Sequence, residues 1–231
     1  LQVNDRPQWR TVRGGSRVYV DKLLAAIPSR RLVMPVQSVT RAAQAGARSV
    51  RVETAAGAEQ FDQVVLACHS DQALALLADA RADERAVLGA IRYQPNRAVL
   101  HTDARCLPSN RRAWSAWNYQ GTASANPEVC VHYLINKLQP LPCTTPVIVS
   151  LNPIDQPDPR RVLGEFDYAH PVFDAAAVAA QARLPGLQGQ QGTWFAGAWT
   201  GYGFHEDGLK SGLSVAAALA ARMEGQGDAA A

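Results

Sequence analysis

The sequence predicts an α/β (α+β) fold in which strand–helix segments at the two ends flank a mixed, largely antiparallel sheet lobe. Three observations carry this. Val64-Val65-Leu66-Ala67-Cys68 is an unbroken apolar run of strand length, as in a strand covered on both faces. Between residues 97 and 168, strand-like runs follow one another through loops rich in Pro, Asn and Ser. Thr193 to Gly212 reads as a short buried strand, a Gly-rich aromatic loop and the start of a helix.

In chain order, Gly14-Gly15-Ser16 precedes a helical pattern in which Ser16 is the expected N-cap, Val18, Leu23, Leu24 and Ile27 share a face, and Pro28 is the stop. Strands are expected at 31–34, 36–41, 49–53 and 63–68, with turns at Ala45-Gly46 and Ala55-Ala56-Gly57. Helices follow at 70–77 and 83–90. The lobe then supplies strands at 97–102, 113–119, 128–135, 147–150 and 162–168. A helix over 173–183, a strand over 193–196 and a closing helix from Asp207 to about Met223 complete the chain. Leu209, Leu213, Ala216, Ala217 and Ala220 of that last helix recur at helical spacing, and the small polar tail from Gly225 is expected to fray. The implied organisation is 1–69, 70–185 and 186–231, two end segments flanking a central lobe.

Composition bounds the function. With 231 residues, 47% of them hydrophobic, the chain can bury a sizeable core in one domain or two lobes. Net charge is +3 and the arginines are scattered, which argues against nucleic-acid binding. No apolar run is long enough to span a bilayer, and Leu1 to Arg13 is too polar for a signal peptide. The first residue is not Met, so the chain reads as a processed product or a piece of a longer protein. Cys68, Cys106, Cys130 and Cys143 lack zinc-type pairing, and reduced thiols in a cytoplasmic protein are expected.

The chemistry concentrates near the C-terminus. A helix entered through a Gly-rich loop offers unpaired N–H groups and the positive end of its dipole to an anion. Upstream, Trp117 and Tyr119 fall on one face of a strand and Trp114 on the other, a surface suited to an apolar or conjugated ligand. Cys68 and His69 are adjacent and point apart, so they form no nucleophile–base pair. His69, His101, His132, His170 and His205 show no ligand spacing, and no metal is expected.

Three segments resemble the C-terminal half of a flavin-containing amine oxidoreductase, in the wider group of FAD enzymes that includes phytoene desaturases. They are Gly14-Gly15-Ser16 with the following helix and Arg31 to Val39, then Phe61 to Cys68, and most specifically Thr193 to Gly212. The resemblance implies FAD as cofactor. It places the Val36 backbone at the adenine end, and Gly197 and Ala198 as backbone donors near the phosphates. Asp207, Gly208 and Leu209 become the tip of a helix aimed at the flavin ring, with Asp207 as its cap and Leu209 offering its N–H. It implies Phe204 and His205 as a wall over the ring, with Arg97, Trp117 and Tyr119 on the side of a small-molecule substrate, an amine or an apolar, unsaturated compound. Arg97 stands where many amine oxidases of this group have a lysine, and arginine is not an equivalent group. The Gly-x-Gly-x-x-Gly phosphate loop of the group is absent, so an N-terminal FAD-binding half is implied as a partner. The alternative is a non-catalytic binding or interaction module that retains the scaffold without FAD.

Overall fold

A computed structural model describes residues 10–42, 49–123 and 128–228, with side chains to residue 224. In chain order the elements are α1 (Arg17–Ala25), β1 (Val36–Arg41), β2 (Val50–Thr54), β3 (Gly57–Phe61), β4 (Val64–Leu66), α2 (Ser70–Leu76), α3 (Ala82–Leu88) and β5 (Arg92–His101). They continue with β6 (Trp117–Gly121), β7 (Val129–Leu134), α4 (Ile135–Leu138), β8 (Ile148–Leu151), β9 (Val162–Val172), α5 (Ala175–Arg183), β10 (Thr193–Phe195) and α6 (His205–Asp228). The mixed α/β class expected from the sequence is the observed one. The expected Ala45-Gly46 turn lies outside the described residues.

Two compact units form. One joins Arg31–Gln94 to His170–Ala231, the other joins the residues up to Arg30 to Pro95–Ala169. In the first unit, β1, β2 and β3 pair in that order as an antiparallel sheet. β4 and β10 pair in parallel, with Leu66 opposite Phe195. Val39, Val50, Leu77, Leu88, Ala177, Leu184 and Phe195 share one buried core. The helices α2, α3 and α5, which the sequence reading grouped with the central lobe, therefore pack with the flanking strands. Arg41 enters this core with its guanidinium on Glu84 (Nη2–Oε2 2.9 Å) and Asp79 (Nε–Oδ1 2.9 Å), tying β1 to α3. Burial disfavours its charge, but the two carboxylates outweigh that and raise its pKa.

The second unit is a five-stranded sheet in the order β6-β7-β8-β5-β9. Its β6–β7, β7–β8 and β5–β8 pairs are antiparallel, as expected for the lobe. Alternation puts Asn118, His132, Ser150 and His101 on one face and Trp117, Tyr119 and Tyr133 on the other. Leu107, Leu134 and Ile148 make a small core on the first face, with Trp114 against it.

Several local expectations change. Residues 31–34 form no strand, and Val33 sits at φ 57°, because no neighbouring strand pairs with them. Ser16 is itself helical in φ and ψ and makes no side-chain cap bond, and α1 buries none of its residues. β4 is covered on one face only, since Val65 is 41% exposed in a parallel pair that has no third strand among the described residues. The closing helix continues past Gly225 to Asp228.

Candidate functional site

β10 is buried throughout, and the Ala196 N–H extends its pairing by donating to the Leu66 carbonyl at 3.1 Å. The chain then turns sharply at Gly197, φ 152°, where a Cβ would lie 2.6 Å from Trp199 Nε1. Trp199 Nε1 donates to the Cys68 carbonyl at 3.0 Å, which ties the loop to the end of β4. Gln181 of α5 donates to the carbonyls of Trp199 (2.8 Å) and Gly201 (2.7 Å). The N–H groups of Gly201 and Gly203 close onto the Ala198 carbonyl. Backbone and side chain together thus hold this Gly-rich loop in one shape. A cleft of about 350 Å³ lies beneath it, lined by Gln181, Leu184, Trp194, Thr200, Ser211 and Val215.

α6 begins at His205, two residues before the expected start, and this changes the role of Asp207. Its carboxylate reaches back from inside the first turn to accept the N–H of Phe204 (2.9 Å) and of Tyr202 (3.1 Å). That is the reciprocal half of a capping box rather than an N-cap. The N–H groups of Asp207 and Gly208 close onto the Phe204 carbonyl at 3.0 and 3.2 Å. Leu209 is the fifth helical residue, where helix geometry takes its N–H onto the His205 carbonyl, so its backbone is not an outward donor. Gly197 is not one either, because its N–H donates to Ser211 Oγ at 2.9 Å. The donors left without a partner at the two ends of the loop, among the described residues, are the N–H groups of Ala198, Trp199, His205 and Glu206.

Gly208 lies over the start of the loop. A Cβ there would meet Ala198 N at 3.6 Å, ordinary contact. One face of α6 is covered, with Val215 and Leu219 against Trp194 and Ala196. The face carrying Leu209 (58% exposed) and Leu213 (61%) is bare. Phe204 and His205 stand exposed at the helix tip, beside Asp207.

The residues expected on the substrate side lie in the sheet unit, apart from Phe204 and His205. Trp117 and Tyr119 project from the same face of β6, and Trp117 meets Tyr133 edge-on with ring centroids 5.7 Å apart. Trp114 lies on the opposite side, its Nε1 on the Pro108 carbonyl at 2.7 Å. Arg97 is paired with Glu165 at 2.7 Å and Gln156 at 2.8 Å, beside a cleft that Val99 and Val162 also line. Val36 opens β1 at a register shift opposite β2 and is exposed.

One constellation was not legible from sequence spacing. His101, Ser150 and His132 join in a buried line, with Ser150 Oγ 2.7 Å from His101 Nε2 and 2.6 Å from His132 Nδ1. Burial lowers both histidine pKa values, His132 adding to the effect at His101, so both rings are neutral near pH 7. Burial, with the Asp103 carboxylate second, pushes the Cys106 thiol up to about 11. Asp103 itself is held well below the usual carboxylate range by Arg105 and by the N–H groups of Asp158 and Arg105. All four cysteines are free. No described helix is long and apolar enough to cross a membrane.

No family profile matches the sequence, and no curated protein matches it either. Solved structures do match. A CLA-producing fatty acid isomerase from P. acnes aligns at TM-score 0.57 and 16% identity, over 84% of this chain and 49% of its own. A protein assigned as a protoporphyrinogen oxidase from Exiguobacterium sp. 255-15 aligns at TM-score 0.55 and 15% identity, over 91% of this chain and 51% of its own. A reduced UDP-galactopyranose mutase aligns at TM-score 0.52 and 11% identity, over 81% and 47%. At these identities the alignments show a shared fold, which is the resemblance expected from the sequence. The chain spans about half the length of the structures it matches.

Proposed function

We propose that this chain is part of an FAD-dependent oxidoreductase that passes a hydride from a substrate carbon to flavin N5. The substrate would be an amine or an apolar, unsaturated compound. The observation that carries the reading is the β10–loop–α6 segment, whose unpaired N–H groups sit at both ends of a rigid glycine loop, on a fold shared with FAD enzymes. That donor set fits an anionic cofactor. Ala198 and Trp199 would hold phosphate oxygens, and His205 and Glu206 would present the positive end of α6 to the ring. When bound, FAD supplies the hydride acceptor.

The chain's own residues have positioning tasks. The α6 tip stabilises negative charge that develops beside it. The Asp207 carboxylate is occupied by the Tyr202 and Phe204 N–H groups and so leaves the His205 and Glu206 N–H groups free to face a ligand. Gly208 leaves room for close approach, Phe204 and His205 wall the tip from water, and the Val36 backbone faces the adenine end. Trp117 and Tyr119 offer an aromatic surface to an apolar substrate. Arg97 is neutralised by Glu165, which argues for a structural or orienting role rather than for the chemistry of a flavin-linked lysine. The phosphate-binding half would come from a further FAD-binding segment covering the bare faces of α6 and β4.

The test is direct. The complete protein, purified in air, is expected to be yellow and to release FAD on denaturation. Anaerobic addition of amines and of unsaturated lipids should bleach it with one class and not the other. A colourless complete protein that takes up no added FAD overturns the assignment.

A further inference from the structure

We propose that His101, Cys106 and His132 form a zinc-binding site within the sheet unit, with one coordination position open to the adjoining cleft. Their ligand atoms all lie within 4.8 Å of one another. The sheet explains why. His132 on β7 pairs directly with Ser150 on β8, and Val99 on β5 pairs with Ser150 from the other side. His101 lies two residues beyond Val99 and so shares that face. Cys106 ends the short 3-10 turn Ala104–Cys106 that follows β5. No spacing in the sequence shows this set, because three separate elements supply it.

The two imidazoles already converge on one point, the Ser150 hydroxyl, at 2.7 and 2.6 Å. Zinc–nitrogen bonds are about 2.0–2.1 Å, so an ion near that point needs each ring to advance by well under about 1 Å once the hydroxyl swings aside. His132 holds the ligating tautomer. Its Nε2–H donates to Gln120 Oε1 at 3.0 Å, and Gln120 Nε2 donates to Asp155 at 2.6 Å, leaving the Nδ1 lone pair for the ion. This is the outer support that orients metal-bound histidines. His101 holds the opposite arrangement, its Nδ1 accepting the Asp103 N–H at 3.1 Å. Ligation through Nε2 moves its proton to Nδ1 and displaces that N–H. Cys106 binds as the thiolate and gives its proton to solvent.

Two imidazoles and one thiolate suit zinc, whereas magnesium and calcium require oxygen ligands. Three protein ligands leave a fourth position for water or substrate. Here it would open onto a cleft of about 240 Å³ lined by Cys106, Tyr119, Gln120, His132 and Asp155. This inference does not depend on the flavin reading.

The experiment uses the complete protein with exposed Cys143 changed to Ser, stripped with a chelator and titrated with Co²⁺ as a spectroscopic probe. One equivalent is expected to give a thiolate-to-cobalt charge-transfer band and visible bands of a tetrahedral site, both removed by Zn²⁺. Cys106→Ser should abolish the charge-transfer band. Gln120→Ala should weaken Zn²⁺ binding about 10- to 100-fold while circular dichroism is unchanged. Absence of the band, its survival in Cys106→Ser, or zinc affinity untouched by both Gln120→Ala and His132→Gln overturns the proposal.

Discussion

Gly201 and Gly208, seven residues apart near the α6 tip, should respond to alanine in opposite ways. At Gly201 a Cβ would lie 2.6 Å from Asp207 Oδ1 and 2.7 Å from its Cγ, so the carboxylate must leave. With it go the bonds to Tyr202 N–H and Phe204 N–H that close the loop onto the helix. A lost cap of this kind costs about 1–2 kcal/mol. At Gly208 a Cβ would rest 3.6–3.9 Å from Ala198, within ordinary contact. Alanine in a helix gains up to about 1 kcal/mol over glycine. Gly201→Ala should therefore lower, and Gly208→Ala raise, the urea midpoint of the complete protein, the two variants differing by about 2–3 kcal/mol, or roughly 1 M urea.

Flavin content separates stability from function in the same pair. On the proposed function, Gly208 faces the cofactor, so Gly208→Ala should gain stability yet hold FAD less tightly, and Gly208→Trp should lose it. Full FAD retention by both Gly208 variants refutes the placement of the α6 tip. An unchanged urea midpoint in Gly201→Ala refutes the claim that Asp207 clamps the loop.

Glu84→Gln leaves the buried Arg41 guanidinium without its closest carboxylate and should cost about 3–5 kcal/mol, read as a fall in unfolding midpoint; a loss below 1 kcal/mol would mean the pair is solvated. The Thr193 hydroxyl is buried without a hydrogen-bond partner, so Thr193→Val should be neutral or stabilising by up to about 1 kcal/mol in thermal unfolding. His101 and His132 have folded pKa values below 6.5, so the unfolded chain takes up their protons first. Their contribution to stability is complete above pH 6.5 and declines as pH falls from 6.5 toward the folded values, with Asp103 and Asp155 opposing the shift. Ring-proton NMR titration checks this, and a midpoint at or above 6.5 for both rings contradicts it.

Much of the fold was legible because the relevant signals are local. Ser70 opens a helix and Val50-Arg51-Val52 alternates as a strand, and both stand as expected. β3 is not legible in the sequence because Gly57-Ala58-Glu59-Gln60-Phe61 has no apolar face and is exposed throughout; only pairing with β2 makes it a strand. Residues 31–34 show the converse, an apolar run that finds no partner. The sequence points to a later α6 start than the observed one because Phe204 occupies the N-cap position without a capping side chain, and the compensating acceptor, Asp207, lies inside the helix. The His101–Ser150–His132 line was invisible because only sheet register brings β5, β8 and β7 residues onto one face.

The bare surfaces make the strongest physical case that something further packs here. α6 is apolar on two faces, Val215 and Leu219 on one, Leu209 and Leu213 on the other, and only the first is covered. A helix of that pattern belongs between two layers. β4 and β10 form a parallel pair, an arrangement found in sheets covered on both sides, yet Val65 is 41% exposed. Leu213→Asp discriminates. On a solvent face it should change stability by less than about 0.5 kcal/mol. Beneath a covering FAD-binding segment it buries an unpaired charge and should cost several kcal/mol, with loss of flavin. A Leu213→Asp complete protein with wild-type unfolding and full flavin content would show that this face meets only water and would remove the case for a layer covering α6.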